Sequence, residues 1–177
     1  TQHFEKNLEI LIDYVSKPYF TPENVEKEAQ KQERRGITQS DLAHRTDFRQ
    51  QRIVTIDGAD TRDIDDAVHL EKTEDGYILG VHIADVSHYV APRSALDNEA
   101  FERGTSVYFP DRVLPMLPRA LSNGICSLNE GEDRLTLSAF MTLDSQGNIL
   151  STELRESVIR SRVKGIYSEL NDILENS

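Results

Sequence analysis

Five aspartates stand within one segment of ten residues, Asp57-Gly58-Ala59-Asp60-Thr61-Arg62-Asp63-Ile64-Asp65-Asp66. Crowded carboxylates repel one another and raise each other's pKa unless they are protonated, hydrated or neutralised by a cation. A hard divalent ion with oxygen ligands suits them, because no Cys or His is interleaved to favour a softer metal. The alternative is a solvated acidic loop, but the embedded glycine and the apolar flanks favour a constructed ion site.

A calcium-binding loop of the EF-hand type is the first specific alternative. If that pattern started at Asp57, its required acidic, amide, glycine and glutamate residues would be missing at four positions, Ala59, Thr61, Arg62 and Val68. An EF-hand is therefore excluded. A calcium-stabilised structural module of another kind stays open, although a chain with one cysteine and no internal repeat is not typical of that class.

The acidic segment must be held by the strands on either side of it. Hydrophobic patterning predicts strands at 53–56, 67–72, 77–83, 105–109, 135–143 and 149–158. It predicts helices at 1–15, 22–35 and 94–103 and from 168 onward, with a helical turn at 118–121. Thr21 and Ser94 are the expected N-caps, and Gly104 is the expected helix stop. The fold class is α+β, a mixed or antiparallel sheet with flanking helices.

Two segments differ in character from the rest. Residues 22–35 carry alternating acids and bases with few apolar side chains, which predicts a solvated helix or a partly disordered lead-in. Residues 110–133 are rich in Pro, Gly, Asn and Ser, and long irregular segments inside compact domains are often functional.

Bulk properties limit the function classes. A chain of 177 residues is long enough for one compact domain, and its net charge of −11 predicts poor RNA binding by the chain alone. Its single cysteine, Cys126, excludes an internal disulfide and is interpreted as a buried structural thiol. There is no apolar run long enough for a bilayer and no signal-peptide profile, so we expect a cytoplasmic protein without a membrane partner.

The acidic segment and the blocks after it are similar to the signature of the RNase II/RNase R (RNB) exoribonucleases. The similarity begins with Thr55-Ile56-Asp57-Gly58 and Asp63-Ile64-Asp65-Asp66-Ala67-Val68. It continues in the family's order through the segments 81–90, 104–110, 115–118, 121–128 and 133–135. It runs from Asp41 to the C-terminus and is greatest to the bacterial RNase R branch. Residues 41–177 are thus identified as the N-terminal, incomplete part of an RNB catalytic domain, preceded by a helical lead-in over residues 1–40.

The resemblance implies that the chain is part of an enzyme, and it implies which residues form the active site. The expected reaction is processive 3′-to-5′ hydrolysis of single-stranded RNA to nucleoside 5′-monophosphates, with Mg²⁺ as cofactor. Tyr108 matches the tyrosine that stacks on the RNA near the cleaved end. Asp57 and Asp66 are expected to contact metal directly and Asp60 is extra. The catalytic and metal-binding set that matches the family's four aspartates is Asp57, Asp63, Asp65 and Asp66.

The family also implies parts outside this chain. Its catalytic arginine and glutamate lie beyond Ser177, so the isolated chain is expected to be inactive or nearly so. Cold-shock and S1 domains are expected in the full-length protein, and the ribosome and the RNA-decay machinery are candidate partners. One further class stays open, a catalytically silent RNB-like module that binds RNA or protein.

Three further residue groups receive interpretations. Arg45, Arg49 and Arg52 are expected either to contact phosphate or to neutralise the acidic segment. The trio His82, Asp85 and His88 is interpreted as structural rather than as a zinc site, with Asp85 as a candidate outer neighbour of the metal. A dense basic patch is predicted from the four residues Arg155, Arg160, Arg162 and Lys164.

Overall fold

A sheet of seven strands forms the centre of the computed structural model, which describes residues 21–110 and 112–176. The strands are β1 Thr46–Asp47, β2 Val54–Asp57, β3 Asp66–Lys72, β4 Gly76–Ala84, β5 Val107–Tyr108, β6 Val113–Leu114, β7 Asp133–Asp144, β8 Ile149–Arg160 and β9 Val163–Ile166. The large sheet has the order β1-β8-β7-β4-β3-β2-β9, and β5 pairs with β6 separately. Parallel pairs occur at both edges, β1 with β8 and β9 with β2, and the other pairs are antiparallel.

Five helices accompany the sheet in the part of the chain that the structure describes. They are α1 Glu23–Arg35, α2 Gln39–Leu42, α3 Val86–Tyr89, α4 Ala95–Arg103 and α5 Tyr167–Asn176, and a short wide helical segment spans Ala120–Ile125. The predicted α+β class with a mixed, mostly antiparallel sheet is confirmed. None of the helices in the described residues has the length and apolar character needed to cross a membrane. The predicted helix at 1–15 lies outside the described residues.

The predicted strands and most helix ends agree with the structure. β3, β4, β7 and β8 each extend the predicted range by one to a few residues, whereas the strand predicted at 105–109 is reduced to Val107–Tyr108. In α4, Ser94 accepts a hydrogen bond from the amide of Asp97 at 3.2 Å, and Gly104 ends the helix with a φ of 71°. The sequence does not predict β1, β6 or β9, because β1 and β6 have two residues each and β9 carries Lys and Gly at its centre, which leaves no periodic pattern.

Of the two alternatives predicted for residues 22–35, the polar, largely solvated helix is confirmed and the partly disordered lead-in is wrong. Val25 and Ala29, one turn apart on α1, are buried in a core cluster with Leu96 of α4 and Leu121. Two apolar residues at i and i+4 are enough to dock a polar helix by one narrow stripe. The predicted cap is also wrong, since Pro22 occupies the N-cap position and makes no side-chain cap bond.

The sheet has an apolar face that helices cover only at one end. Core residues of the helices pack against Leu135 of β7 and Val158 of β8. Further along the same face, Asp66 of β3 pairs with Ile83 of β4, and Ile83 pairs with Leu137 of β7. The side chains of Ile83 and Leu137 are each 47% exposed. Residues that alternate along a strand share one face. Asp66, the first residue of β3, therefore lies at the boundary between the covered and the exposed parts of this face.

Of the two alternatives for the arginines before β2, neutralisation of the acidic segment is wrong for Arg45 and Arg49, and phosphate contact stays a prediction. Arg45 pairs with Asp85, and Arg49 pairs with Asp47 at 2.6 Å and Asp133 at 2.9 Å. The reason is topological. β1 lies at the opposite edge of the sheet from β2 and β9, so residues that are close in sequence lie far apart. Arg52 lines a different cavity, with His69 and Lys72.

We expect Arg45→Met to destabilise the fold by roughly 3–5 kcal/mol, because it leaves the carboxylate of Asp85 buried without its cation. The side chains of Arg45 and Asp85 are only 5% and 11% exposed. The free energy of unfolding from denaturant titration measures the effect. Arg155→Met is the matched control, since its pair with Glu153 is exposed and worth about 0–1 kcal/mol. Equal losses in the two variants would contradict the prediction.

Candidate active site

The acidic segment is a loop whose ends are fixed by two neighbouring antiparallel strands. Asp57 is the last residue of β2 and Asp66 is the first residue of β3. Between them the amide of Thr61 donates to the carbonyl of Gly58 at 3.2 Å, which closes a tight turn. The four residues that match the family's aspartates are thus two strand ends, Asp57 and Asp66, and two loop residues, Asp63 and Asp65.

Ile64 anchors the loop between its two middle acids. Its side chain is buried in the second core cluster, with Ile53 and Leu128 among its neighbours. Its amide donates to Ser127 Oγ at 3.2 Å, and its carbonyl accepts from the amide of Leu128 at 2.8 Å. Because extended residues alternate in direction, burial of Ile64 turns Asp63 and Asp65 outward. The pattern Asp-Ile-Asp therefore determines the local orientation of both carboxylates.

Asp57 lies in an environment that opposes its negative charge. Burial raises the pKa of its carboxyl group, and the charges of Asp66 and Asp65 raise it further, whereas Lys164 opposes them. Its Oδ2 atom is buried without a hydrogen-bond partner among the described residues. An orphaned carboxylate oxygen surrounded by like charges fits a hard cation. The side chains as they stand do not yet form a ligand set, since no three His, Cys, Asp or Glu residues converge on one point within residues 21–110 and 112–176.

Tyr108 and two of the aspartates share one cavity. The cavity has a volume of about 210 Å³, and the irregular segment after β6 supplies part of its wall through Met116, Leu117 and Ser122. Tyr108 donates its hydroxyl hydrogen to Asp63 Oδ2 at 2.6 Å. This hydrogen bond, and then partial burial, raises the pKa of Tyr108. The residue is 65% exposed, so the ring stands at the cavity mouth with its hydroxyl fixed.

The structure brings together only part of the predicted set directly. Asp63 and Asp65 line the cavity with Tyr108, whereas Asp57 and Asp66 do not line it. Asp57 is connected to the other three through their effect on its pKa. Asp60, the extra acid, is exposed and lines a separate cavity with Arg62, Arg119 and Asn123. Asp63 lines this second cavity as well, so Asp60 is separated from the Tyr108 cavity but adjoins one of the four residues that match the family.

Lys164 is a functional candidate whose position the sequence reasoning missed. Its Nζ atom donates to the carbonyls of Thr61 at 2.7 Å and Ala59 at 3.1 Å. β9 pairs in parallel with β2 and aligns Lys164 with Thr55, two residues before the acidic loop begins. The only signal in the sequence was the basic character of residues 155–164, and it does not reveal a parallel pairing.

The predicted dense basic patch is wrong. Arg155 pairs with Glu153, Arg160 pairs with Asp133, and Arg162 donates to backbone carbonyls of residues 49–51. Each of these side chains, like Lys164, has a partner of its own. Arg155 and Arg160 lie on β8, Lys164 lies on β9 and Arg162 lies in the connection between the two strands, so the four side chains reach different neighbours.

The structural interpretations of the histidines and the cysteine are confirmed for the described residues. His82 is buried with its Nδ1 atom 2.7 Å from Ser138 Oγ, and burial followed by the charge of His69 lowers its pKa to about 4. Asp85 pairs with Arg45 and caps α3, so its carboxylate is engaged away from the cavity. Cys126 is buried, which raises the pKa of its thiol to about 12, a poor nucleophile at neutral pH.

Comparisons with known proteins agree with this geometry. The family model of the RNB domain matches residues 45–177. Ribonuclease R of Thermotoga maritima is 54% identical over 156 residues, which are 88% of this chain and 22% of that protein. The structure of Mycoplasma genitalium RNase R in complex with ribose methylated single-stranded RNA matches with a TM-score of 0.87 at 33% identity, over 96% of this chain and 26% of that chain.

One structural neighbour is a pseudonuclease. Yeast Ssd1, a pseudonuclease, matches with a TM-score of 0.72 at 27% identity, over 80% of this chain and 18% of that chain. The chain spans about a fifth of the length of the curated relatives it matches. The fold is therefore compatible with both an active and a silent site, and the side chains of the acidic loop must distinguish them.

We expect Asp57→Asn to stabilise the metal-free protein at pH 7 and to raise its Tm, because the substitution removes a charge that the folded state disfavours. Because the folded-state pKa of Asp57 is raised, its charged form costs stability above that pKa. The advantage of the variant should shrink as the pH falls and vanish below the ordinary Asp pKa of about 3.9.

Thermal unfolding in EDTA measures the stability of the metal-free parent and variant, and thermal unfolding in Mg²⁺ measures how each responds to the ion. Mg²⁺ should raise the Tm of the parent and not that of the variant, because a ligand stabilises only the form that binds it. Asp60→Asn is the control and should leave the Mg²⁺ response unchanged. A parent that ignores Mg²⁺, or a variant that responds equally, would contradict the ion site.

Proposed function

We propose a function on one premise, that this chain belongs to the RNB domain family. We propose that the chain supplies the aspartate site of an exoribonuclease that hydrolyses single-stranded RNA processively from its 3′ end to nucleoside 5′-monophosphates. The observation that carries the proposal is the shared cavity, where the ring of Tyr108 stands beside the outward carboxylates of Asp63 and Asp65. An aromatic face and acidic groups in one cavity suit a terminal nucleotide and its phosphodiester.

The acidic loop would hold the cofactor. Carboxylate oxygens are the ligands that Mg²⁺ accepts, and it leaves other positions for water and phosphate oxygens. When bound, Mg²⁺ supplies an activated water and neutralises charge that develops on the phosphate and the departing oxygen. The residues that would hold it are Asp57, Asp63, Asp65 and Asp66, with Asp57 and Asp66 proposed as direct ligands.

Tyr108 and the cavity wall would position the substrate. The exposed ring offers a stacking surface for a base, and the bond from its hydroxyl to Asp63 fixes the ring relative to the acids. Holding the terminal nucleotide there places its phosphodiester next to the carboxylates, which reduces the entropic part of the barrier. Met116 and Leu117 form an apolar side of the cavity that limits access of bulk water.

Most of the binding affinity for RNA would come from parts of the protein outside this chain. A net charge of −11 opposes phosphate binding, which is normally driven by Lys and Arg. The relatives are several times longer, and we propose that cold-shock and S1 domains and the rest of the catalytic domain supply the basic surface. A cytoplasmic location and contact with the ribosome or RNA-decay machinery remain predictions.

The similarity to a pseudonuclease favours a second candidate, a silent RNB-like module that binds RNA or protein. The four aspartates argue for the enzyme, because RNA or protein binding does not require an orphaned, like-charged carboxylate such as Asp57. Release of nucleoside 5′-monophosphates from labelled single-stranded RNA by the complete protein separates the two. RNA binding without any release would establish the silent module.

We expect Asp65→Asn in the complete protein to lower the rate of monophosphate release by roughly 100-fold or more, as loss of one group that stabilises transition-state charge typically does. RNA affinity should change little, because Asp65 contributes no attraction for phosphate. Asp60→Asn, which removes the same charge from the same loop, is the control and should keep the parent rate. An Asp65→Asn variant with the parent rate would refute the assignment.

We expect Tyr108→Ala to weaken the grip on the 3′-terminal nucleotide by about 1–3 kcal/mol, the usual value of stacking one base on an aromatic ring. Tyr108→Phe keeps the ring and loses only the bond to Asp63, so it should retain most of the affinity. End-product lengths and the Kd for a short 3′-labelled strand measure both effects. An unchanged digestion pattern in Tyr108→Ala would mean that Tyr108 serves only in packing.

A further inference from the structure

We propose that Lys164 is a positioning residue that fixes the acidic loop in its ion-binding shape through the loop's backbone. The inference deepens the proposed function and rests on it, because it concerns the same site. Lys164 lies about a hundred residues further along the chain than the loop, and no carboxylate of the loop is its hydrogen-bond partner.

The geometry of the contact is that of a clamp. One ammonium group carries three donors, and Nζ uses two of them on the carbonyls of Ala59 and Thr61. These two residues belong to the turn that the Thr61 amide closes on Gly58. The clamp therefore fixes the bend between Asp57 on one side and Asp63 on the other, so it determines how far apart those acids lie.

The strand that carries Lys164 is itself held closely. Lys164 pairs with Thr55 in the parallel β2–β9 register, and its amide donates to Glu130 Oε2 at 3.2 Å. At the next residue, Gly165, an added Cβ would lie 2.8 Å from the carbonyl oxygen of Thr55. Such a close approach leaves β9 little freedom to slide. The ammonium group is thus presented to the loop from a fixed position.

Lys164 bonds backbone carbonyl oxygens and not carboxylate oxygens, and this difference matters for ion binding by the loop. A lysine among five aspartates could pair with carboxylates, and each such pair would remove oxygens from the set that can hold an ion. Lys164 instead takes carbonyl oxygens, so it brings positive charge to the loop while leaving the carboxylates available. Asp57 Oδ2 has no partner among the described residues. We infer that the arrangement stabilises the loop without consuming its ligands.

The test measures ion affinity in the complete protein for Lys164→Met, Lys164→Arg and Arg162→Met. Arg162 is the matched control, because it lies two residues earlier and also donates to backbone carbonyls, but on residues 49–51. Isothermal titration with Mg²⁺ in the absence of RNA gives the Kd, and Tm in EDTA and circular dichroism report the fold. RNA hydrolysis is measured in parallel.

We expect Lys164→Met to raise the Kd for Mg²⁺ roughly 10-fold or more, the typical effect of losing a group that orients metal ligands. Lys164→Arg, which can also donate to two carbonyls, should restore most of the affinity, and Arg162→Met should stay within about twofold of the parent. The direction of the change is decisive. If Lys164 were only a countercharge, its loss would make the loop more negative and would lower the Kd instead.

Several outcomes would overturn the inference. They are a Kd that falls or stays constant in Lys164→Met, an equal rise in Arg162→Met, and no rescue by Lys164→Arg. If Lys164→Met does not fold, Lys164→Gln and Lys164→Arg provide the same comparison with a neutral and a charged donor. A parent protein that binds Mg²⁺ but releases no monophosphates would refute the proposed nuclease function without contradicting the positioning role of Lys164. Failure of the proposed function and failure of the Lys164 inference are therefore distinguishable.

Discussion

Burial of Ile64 is the interaction on which the acidic loop depends. The loop concentrates like charges, and only contacts made by its uncharged atoms can offset their repulsion. A buried isoleucine contributes roughly 1.5–3 kcal/mol, and the hydrogen bonds of its amide and carbonyl fix the backbone on both sides. Ser127 adds a bond to the carbonyl of Arg62 at 2.8 Å. The orientation of Asp63 and Asp65 follows from this single anchor.

The order of the strands decides which charges meet the loop. Arg45 and Arg49 precede it closely in sequence, yet they pair with carboxylates near the other edge of the sheet. Lys164, far away in sequence, reaches the loop because β9 lies next to β2. Local charge patterning therefore assigned the wrong cations to the loop. A parallel pairing at a sheet edge depends on the whole chain, and four residues around Gly165 give no local sign of it.

The parts of the fold that were predictable are those with long periodic patterns. β3, β4, β7, β8 and α4 follow from alternation, turn residues and the Ser94 and Gly104 caps. The position of α1 in the core was not predictable by composition, because only Val25 and Ala29 dock it. At the site, the family signature indicated the aspartates and Tyr108, but the bond from Tyr108 to Asp63 joins a two-residue strand to a loop 45 positions earlier in the chain. Irregular backbone has no period from which to infer such a contact.

The loop is less neutralised than it could be, and this is what an ion site requires. Tyr108 bonds one oxygen of Asp63, and Lys164 bonds carbonyls. Asp57 Oδ2 has no hydrogen-bond partner among the described residues, and burial and the neighbouring acids raise the pKa of the Asp57 carboxyl group. Pairing every carboxylate with arginine would favour the folded state but leave no ligand for a cation. Groups whose pKa is shifted by specific charged neighbours occur often at functional sites, where stability is given up for reactivity. The proposal that this loop binds an ion therefore rests on the distribution of its bonds more than on its acidic composition.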